Sequence, residues 1–379
     1  MSVVSERVIV RIDANVDAGS RCRNQGRLVE QIVLTVQPLL NSGATVTLIG
    51  TWGRPVIAPR DTFNRIRANN PALQFLTLAS AIGQALGRNE PPVLQAMPTV
   101  QIPGYAIRDH LRLLENLAFD PREERNDQVL ARQLAALGDR YLIDDVRALN
   151  DRSASIRSMP KAISTQLSQR VTTELAELDR LITHPKRPFV ALIGGGHVDR
   201  KLEVIRRLGP VVDELLVSGE VATTFLAARG VDLKRTLVDA TQIDVAKQLG
   251  GLLENRLTLP TDFVWRMHRI MDIGPQTRDR YTQSIVGAAT ILMTGPAGLV
   301  SLQLEAFHHG TASLVGSLHA NQTAVRFVIG DDTVNQLPVT ARASGITVLD
   351  GDAVALDYLA SGKLVALDAI ATSRFAHKS

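Results

Sequence analysis

Residues 194–201 read Gly-Gly-Gly-His-Val-Asp-Arg-Lys and carry the densest potential chemistry of the 379-residue chain. Gly194, Gly195 and Gly196 have no Cβ, so their backbone can turn through positive φ and bring N–H groups close to an anion. His197, Arg200 and Lys201 fall in the first turn of the helix that should follow, where positive charge opposes the helix dipole. A bound phosphate would remove that conflict. An ordinary tight turn between strand and helix accounts for the glycines equally well. Further polar groups sit just past apolar runs: Asp13 and Asn15, Thr51 to Arg54, Glu115-Asn116, Asp144-Asp145, and Gly330-Asp331-Asp332-Thr333. Acids and amides can read hydroxyls, and arginine forks suit carboxylates and phosphates.

The elements that must position these groups follow from periodicity. Phe189 to Ile193 is a short apolar run of the buried-strand type, and Val198, Leu202, Ile205 and Leu208 form one helical stripe. Upstream, Arg7–Ile12, Thr45–Ile49, Leu111–Leu114 and Tyr141–Ile143 read as strands. Leu28–Leu40, Leu73–Leu86 and Gln128–Leu137 read as helices between them. A long amphipathic helix is expected over Ile163 to Ile182, with Val171, Leu175, Leu178 and Ile182 in register. The alternation then resumes, with strands near Val190, Leu215, Phe263, Ile291 and Phe327. Helices are expected at Val198–Leu208, Val221–Ala228, Val245–Leu253, Thr277–Val286, Thr311–Leu318 and Thr333–Val339. Strand-helix alternation predicts an α/β fold of two doubly wound parallel-sheet (Rossmann-like) domains joined by a long interdomain helix and hinge. In such sheets the site lies beyond the carboxyl ends of the strands.

Composition narrows the function classes. Hydrophobic residues make up 45% and charged residues 21%, as in water-soluble globular proteins. The mean hydropathy of +0.05 and strand-sized apolar runs predict no membrane association. Ser5, Glu6 and Arg7 interrupt the opening apolar residues, so no secretory leader is expected. One cysteine, Cys22, excludes an internal disulfide framework and a cysteine zinc site. The expected compartment is the cytoplasm. A net charge of +4, scattered along the chain, does not predict nucleic-acid binding.

The order of motifs resembles the phosphoglycerate kinase family along essentially the whole chain. The motifs are Arg11-Ile-Asp13-Ala-Asn15-Val16, Gly53-Arg54-Pro55, Leu114-Glu-Asn-Leu-Ala-Phe119 and Arg187 to Lys201. Ala222-Thr-Thr-Phe-Leu226, Pro260-Thr-Asp-Phe-Val264, Asp272-Ile-Gly-Pro275, Gly295-Pro-Ala-Gly298 and Gly330-Asp-Asp-Thr333 follow in family order. The resemblance implies an ATP-dependent kinase with a carboxylate acceptor. Its N-terminal domain, residues 1–162, would hold a small acid, 3-phosphoglycerate or a relative. A helix over 163–183 would lead to a nucleotide domain, 184–355, binding ATP or ADP with Mg2+, and residues 356–379 would return to the first domain. Hinge closure would exclude water from the reaction, and the protein is expected to be a monomer.

Carried over position by position, the resemblance implies substrate contacts at Asp13, Asn15, Arg27, Arg54 and Arg152. Catalytic roles are implied for Arg27, His197 and Lys201. Nucleotide contacts are implied at Gly194, Gly195, Gly196, Lys201, Gly219, Gly295, Pro296, Gly330, Asp332 and Thr333, with Asp332 as the metal ligand. The departures are as informative. Thr51 replaces a usual histidine, Ala118 a usual arginine, and Asp151 enters where the family carries a histidine beside Arg152. Losing two charge-assisted phosphate contacts at on the order of 1.5–3 kcal/mol each weakens binding by roughly two to four decades. His197 stands where the family has its catalytic lysine; an imidazole titrates near neutral pH and an ammonium does not. Glu220 replaces a glycine, and the ribose glutamate becomes Ser301 or Gln303. The family's insertion between Val264 and Met271 is missing, so a nearly direct connection is expected there. These losses leave a second reading open: a non-catalytic paralogue acting as a ligand-binding or regulatory protein.

Overall fold

In the computed structural model of the protein, the described residues are 5–14, 23–58, 60–253, 255–299, 307–334, 336–337, 345–349 and 352–373. The chain divides into two compact units, Met1–Thr173 with Lys363–Ser379, and Glu174–Gly362.

The first unit contains β1 (Arg7–Ile12), α1 (Arg23–Asn41), β2 (Thr45–Ile49), α2 (Phe63–Asn69), α3 (Leu76–Ala85), β3 (Val93–Gln95), β4 (Gly104–Arg108) and β5 (Leu111–Leu114). It continues through α4 (Pro121–Glu124), α5 (Gln128–Ala135), β6 (Arg140–Asp144) and β7 (Ser164–Leu167), and α6 (Gln169–Thr183) crosses its boundary. The sheet order is β3-β4-β5-β2-β1-β6-β7. β5, β2, β1, β6 and β7 run parallel, and β4 is antiparallel to both β5 and β3. β1 is interior to the sheet and apolar except for Arg7 at its exposed start and the buried Arg11, which suits a strand covered on both faces. Val8, Val10 and Ile12 pack with Ile32, Val36, Leu48 and Ile82 in the core.

Two expectations change here. The helix predicted from Ile163 begins at Gln169, because Ser164–Leu167 pairs with β6 as an edge strand. Four residues of Ser, Thr, Gln and Leu give no helical or strand period by themselves; the pairing is long-range. The antiparallel β3–β4 pair also lay outside the predicted strands, and all three residues of β3 are exposed.

The second unit runs β8 (Phe189–Ile193), α7 (Val198–Leu208), β9 (Glu214–Val217), α8 (Gly219–Ala228), α9 (Ile243–Leu252), β10 (Leu257–Thr258), β11 (Phe263–Arg266) and β12 (Arg269–Ile273). Next come α10 (Pro275–Gly287), β13 (Thr290–Thr294), α11 (His309–Ala320), β14 (Val325–Ile329), α12 (Asp331–Val334), β15 (Ile346–Leu349) and α13 (Asp352–Ser361). The six sheet strands are parallel in the order β10-β9-β8-β13-β14-β15. The chain therefore starts in the middle, moves outward one way, then returns to the centre and moves the other way. That order creates a switch point between β8 and β13, where open α/β sheets bind ligands.

Phe263 belongs not to this sheet but to a separate antiparallel hairpin of β11 and β12. The direct connection expected between Val264 and Met271 is thus a tight hairpin. Met267 and His268 at its tip both have positive φ, 48° and 62°, as a two-residue hairpin turn requires. Neither residue is a usual choice for that conformation, which hid the turn in the sequence. The C-terminal segment divides: α13 packs on α7 in the second unit, whereas α14 (Val365–Ala371) packs against residues 154–161 of the first.

Candidate functional site

Each unit gathers polar groups beyond the carboxyl ends of its strands. In the first, a cavity of about 330 Å³ is lined by Asp13, Thr51, Arg54, Asp145, Arg147 and Asp151, with Gly53 and Ala148. Its floor is a buried network on Arg11, whose side chain is wholly enclosed. Arg11 Nε donates to Asp145 Oδ2 at 3.1 Å, Nη1 to Glu123 Oε1 at 3.3 Å and to Ser155 Oγ at 2.6 Å, and Nη2 to Thr51 Oγ1 at 2.7 Å. Burial disfavours the guanidinium charge, but Asp145 and Glu123 outweigh it and hold the pKa above its ordinary value. At the rim, Arg147 Nε lies 3.2 Å from Asp13 Oδ2. Desolvation, reinforced by Asp145 and Glu123 and opposed by Arg11, pushes the Asp151 carboxyl up to about 6.

The loop carrying Thr51 and Arg54 is held by Asn116. Asn116 Oδ1 accepts from the N–H groups of Trp52 and Ala118, both at 3.0 Å, and Nδ2 donates to the carbonyls of Trp52 and Leu73. Glu115 is equally occupied, by Arg67, Tyr105 and the N–H of Phe75. The two polar residues after β5 are thus scaffold for the loop.

Among the predicted acid-site residues, Asp13 and Arg54 line this cavity. Arg54 is exposed and has no carboxylate partner among the described residues. Asn15 lies outside the described residues. Arg27 falls within α1, but its side chain is not among those described. Arg152 lines a different cavity, with Arg157, Lys161 and Asp368 of α14. The neighbouring Asp151 lines the cavity of Asp13 and Arg54. Sequence reasoning gave no role to Arg11, whose buried network underlies this cavity; Asp145, which pairs with it, belongs to the strand-end acidic pair that the sequence did single out.

In the second unit, a cavity of about 340 Å³ opens at the switch point. Gly195, Gly196, Gly219, Pro296 and Asp332 line it. Leu237, Phe263, Ile270 and Met271 form an apolar wall, and Glu220 and Asp272 add carboxylates. Asp272 accepts from the N–H groups of Ile273 at 2.8 Å and Gly310 at 2.7 Å; burial nevertheless raises its pKa against those bonds.

Glycine is required here by close approach. A Cβ on Gly295 would stand 2.1 Å from the Gly194 carbonyl oxygen and 2.5 Å from Lys201 Nζ, and a Cβ on Gly219 would stand 2.5 Å from Gly195 N. The three loops after β8, β9 and β13 therefore interlock through backbone. The Gly195 carbonyl accepts from Glu220 N–H at 3.1 Å and Val221 N–H at 3.3 Å, which satisfies the start of α8 from within the protein.

Lys201 is 4% exposed and donates to the Gly194 carbonyl beneath these loops, outside the cavity lining. His197 is exposed, has φ 53°, and makes no capping bond to α7. Gly330 turns at φ 101°, and its carbonyl accepts from Thr333 N–H at 3.1 Å. Thr333 is buried, and its hydroxyl has no hydrogen-bond partner among the described residues. Ser301 and Gln303 lie outside the described residues.

The sequence model of the family described as phosphoglycerate kinase matches residues 1–359. The chain belongs to the phosphoglycerate kinase family. The phosphoglycerate kinase of Deinococcus radiodurans is 30% identical, in an alignment covering 98% of this chain and 93% of that protein. That of Herpetosiphon aurantiacus is 32% identical, covering 93% of each. A solved phosphoglycerate kinase structure from Coxiella burnetii shares the fold, with a TM-score of 0.77 at 23% identity over 97% of this chain and 96% of that one. One from Pyrococcus horikoshii gives 0.74 at 19% identity over the same shares. Membership in the phosphoglycerate kinase family accounts for the motif order. No helix among the described residues is long and apolar enough to cross a membrane.

Proposed function

We propose that the protein is an ATP-dependent phosphotransferase that moves a phosphoryl group between ATP and the carboxylate of a small acid, 3-phosphoglycerate or a relative. The observation that carries this reading is the second unit's cavity: interlocked glycine loops at the switch point of a parallel sheet, with an apolar wall on one side and Asp332 on the other. An adenine suits the apolar wall, and phosphates suit the glycine backbone. Asp332 fits a Mg2+ ion, which is commonly held by one or two carboxylates together with the nucleotide's phosphates. Among the described residues no cluster of three ligating side chains would bind the metal alone. When bound, Mg2+ supplies charge neutralisation on the phosphates.

In the proposed reaction a carboxylate oxygen attacks the γ-phosphorus of ATP. The bond from that phosphorus to the β–γ bridging oxygen breaks, its electron pair leaves on ADP, and an acyl phosphate remains. Positioning and charge stabilisation are the main protein contributions to such a transfer. The first unit's cavity is proposed to hold the acid, with Asp13 and Asn15 on hydroxyls and Arg27 and Arg54 on charged oxygens. His197 is free to turn toward a phosphoryl oxygen, since it neither caps nor pairs within the described structure. Lys201, by contrast, is proposed to support the Gly194 turn from below. We propose a cytoplasmic monomer.

The test is calorimetry with Mg-ADP together with acyl-phosphate formation trapped by hydroxylamine over a panel of small acids. Measurable Mg-ADP binding and trapped product from at least one acid are expected. Absence of both at millimolar ligand would overturn the reading.

A further inference from the structure

Among the described residues, the charges around the first unit's cavity do not match a phosphate. We infer that this cavity takes a small carboxylic acid whose far end is a hydrogen-bond donor, hydroxyl or ammonium, in place of a phosphate. The inference rests on the proposed assignment of this unit to the acid.

The argument is an account of which cations are free among the described residues. Arg11 would be the cation at the floor, but it has no exposed surface, and Asp145, Glu123, Ser155 and Thr51 take up its donors. Arg147 lies against Asp13. Arg152 lines another cavity. Only Arg54 reaches this cavity without a carboxylate partner, and it is exposed at the rim.

Three carboxylates, Asp13, Asp145 and Asp151, border the same space. Ionised carboxylates only accept hydrogen bonds. Asp145 is paired with Arg11 and Asp13 with Arg147, so the charges left over among the described residues are Arg54 at the exposed rim and Asp151 on the wall. A phosphate dianion presents acceptors and negative charge and is repelled by Asp151, with only one exposed arginine to offset it. A hydroxyl or ammonium presents donors, which Asp151 and the remaining lone pairs of Asp13 can accept. Thr51 fits the same assignment: its oxygen accepts from Arg11, which leaves its own proton free to donate to a ligand hydroxyl. Asp151 is the group most able to set this preference. It is on the cavity wall, is not part of the Arg11 hydrogen-bond network, and is exposed.

The test uses the full chain and three acids with one three-carbon frame: D-glycerate, L-serine and 3-phosphoglycerate. Binding is measured by calorimetry without nucleotide, and Mg-ADP is titrated separately in the same preparation. D-glycerate or L-serine should bind at least tenfold tighter than 3-phosphoglycerate, and which of the two leads tells hydroxyl from ammonium. Asp151→Asn, checked for folding by circular dichroism, should narrow that gap at least fivefold by strengthening 3-phosphoglycerate. Tightest binding of 3-phosphoglycerate to the unaltered protein overturns the inference, as does failure of all three acids to bind. Either result with normal Mg-ADP binding leaves the kinase reading standing. Loss of Mg-ADP binding as well removes both.

Discussion

Asn116 grips the backbone of Trp52 from both sides, accepting from its N–H at 3.0 Å and donating to its carbonyl at 2.8 Å. Asn116 is fully buried, and the same amide also serves Leu73 and Ala118. One side chain after β5 thereby fixes the loop after β2, which carries Thr51 and Arg54. Asn116→Ala strands several buried backbone groups, each costing about 1–3 kcal/mol if left unmade. Partial rescue by water should leave a loss of roughly 2–4 kcal/mol. Urea unfolding measures the loss, and acid binding should weaken alongside it. A variant within 0.5 kcal/mol of the parent, roughly the effect of an ordinary surface change, would show that the loop holds itself.

Arg11 is the second organising residue, and it tests the balance between burial and pairing. Removing one member of a buried ion network leaves the others uncompensated, at about 3–5 kcal/mol. Arg11→Met should cost that much, since Glu123 and Asp145 would remain buried without their cation. Arg11→Lys should recover little, because one ammonium cannot span the separate acceptors on Asp145, Glu123, Ser155 and Thr51. Comparing the urea midpoints of the two variants decides it. Full recovery by lysine would mean that charge alone, and not the fork, holds the network.

The parts of this design that were legible in the sequence are those set by local period and local turn chemistry. Val198, Leu202, Ile205 and Leu208 define α7 with the same bounds in sequence and structure. The polar residues after each strand, from Asp13 to Asp332, were visible because parallel strands end where sites begin. What was hidden depended on pairing at a distance or on direction. Ser164–Leu167 became a strand only because β6 offered a free edge. Met267 and His268 turned a hairpin without glycine or asparagine. Spacing could align Arg152 with its neighbours, but could not say that Asp151 and Arg152 would line two different cavities. The resemblance implied a nucleotide contact for Lys201; spacing could not show that its side chain is buried and donates to the Gly194 carbonyl.

Asp151 also links the first unit's cavity to pH. Its carboxyl is pushed up to about 6, from an ordinary value near about 3.9. Between these values the folded protein binds more protons at this residue than the unfolded chain does. Stability contributed by Asp151 therefore falls as pH rises through that window. Asp139 and Asp262 are shifted downward and act in the opposite sense, losing stability as pH falls. The difference between parent and Asp151→Asn isolates the one residue. The parent should lose stability relative to the variant from pH 4 to pH 6.5 and run parallel to it above. A constant difference across pH 4 to 7 would place the Asp151 carboxyl at its ordinary value.

Glu220 tests where a nucleotide's charge runs in the second unit. A Cβ placed on Gly196 would meet Glu220 Oε2 at 3.4 Å, so the carboxylate stands directly beside the glycine turn. A polyphosphate laid along Gly195 and Gly196 would carry like charge past it, at a cost on the order of 1 kcal/mol for a partly solvated pair. Glu220→Gln keeps the shape and removes the charge. Mg-ADP should then bind several-fold to about tenfold tighter, the change that roughly 1–1.4 kcal/mol produces. Adenosine, which has no phosphates, should be unaffected. Calorimetry with both ligands separates the cases. If adenosine gains as much as Mg-ADP, Glu220 acts on the base or on the shape of the cavity. If neither changes, the phosphates do not pass the Gly195–Gly196 turn, and the charge at Glu220 has to be explained without them.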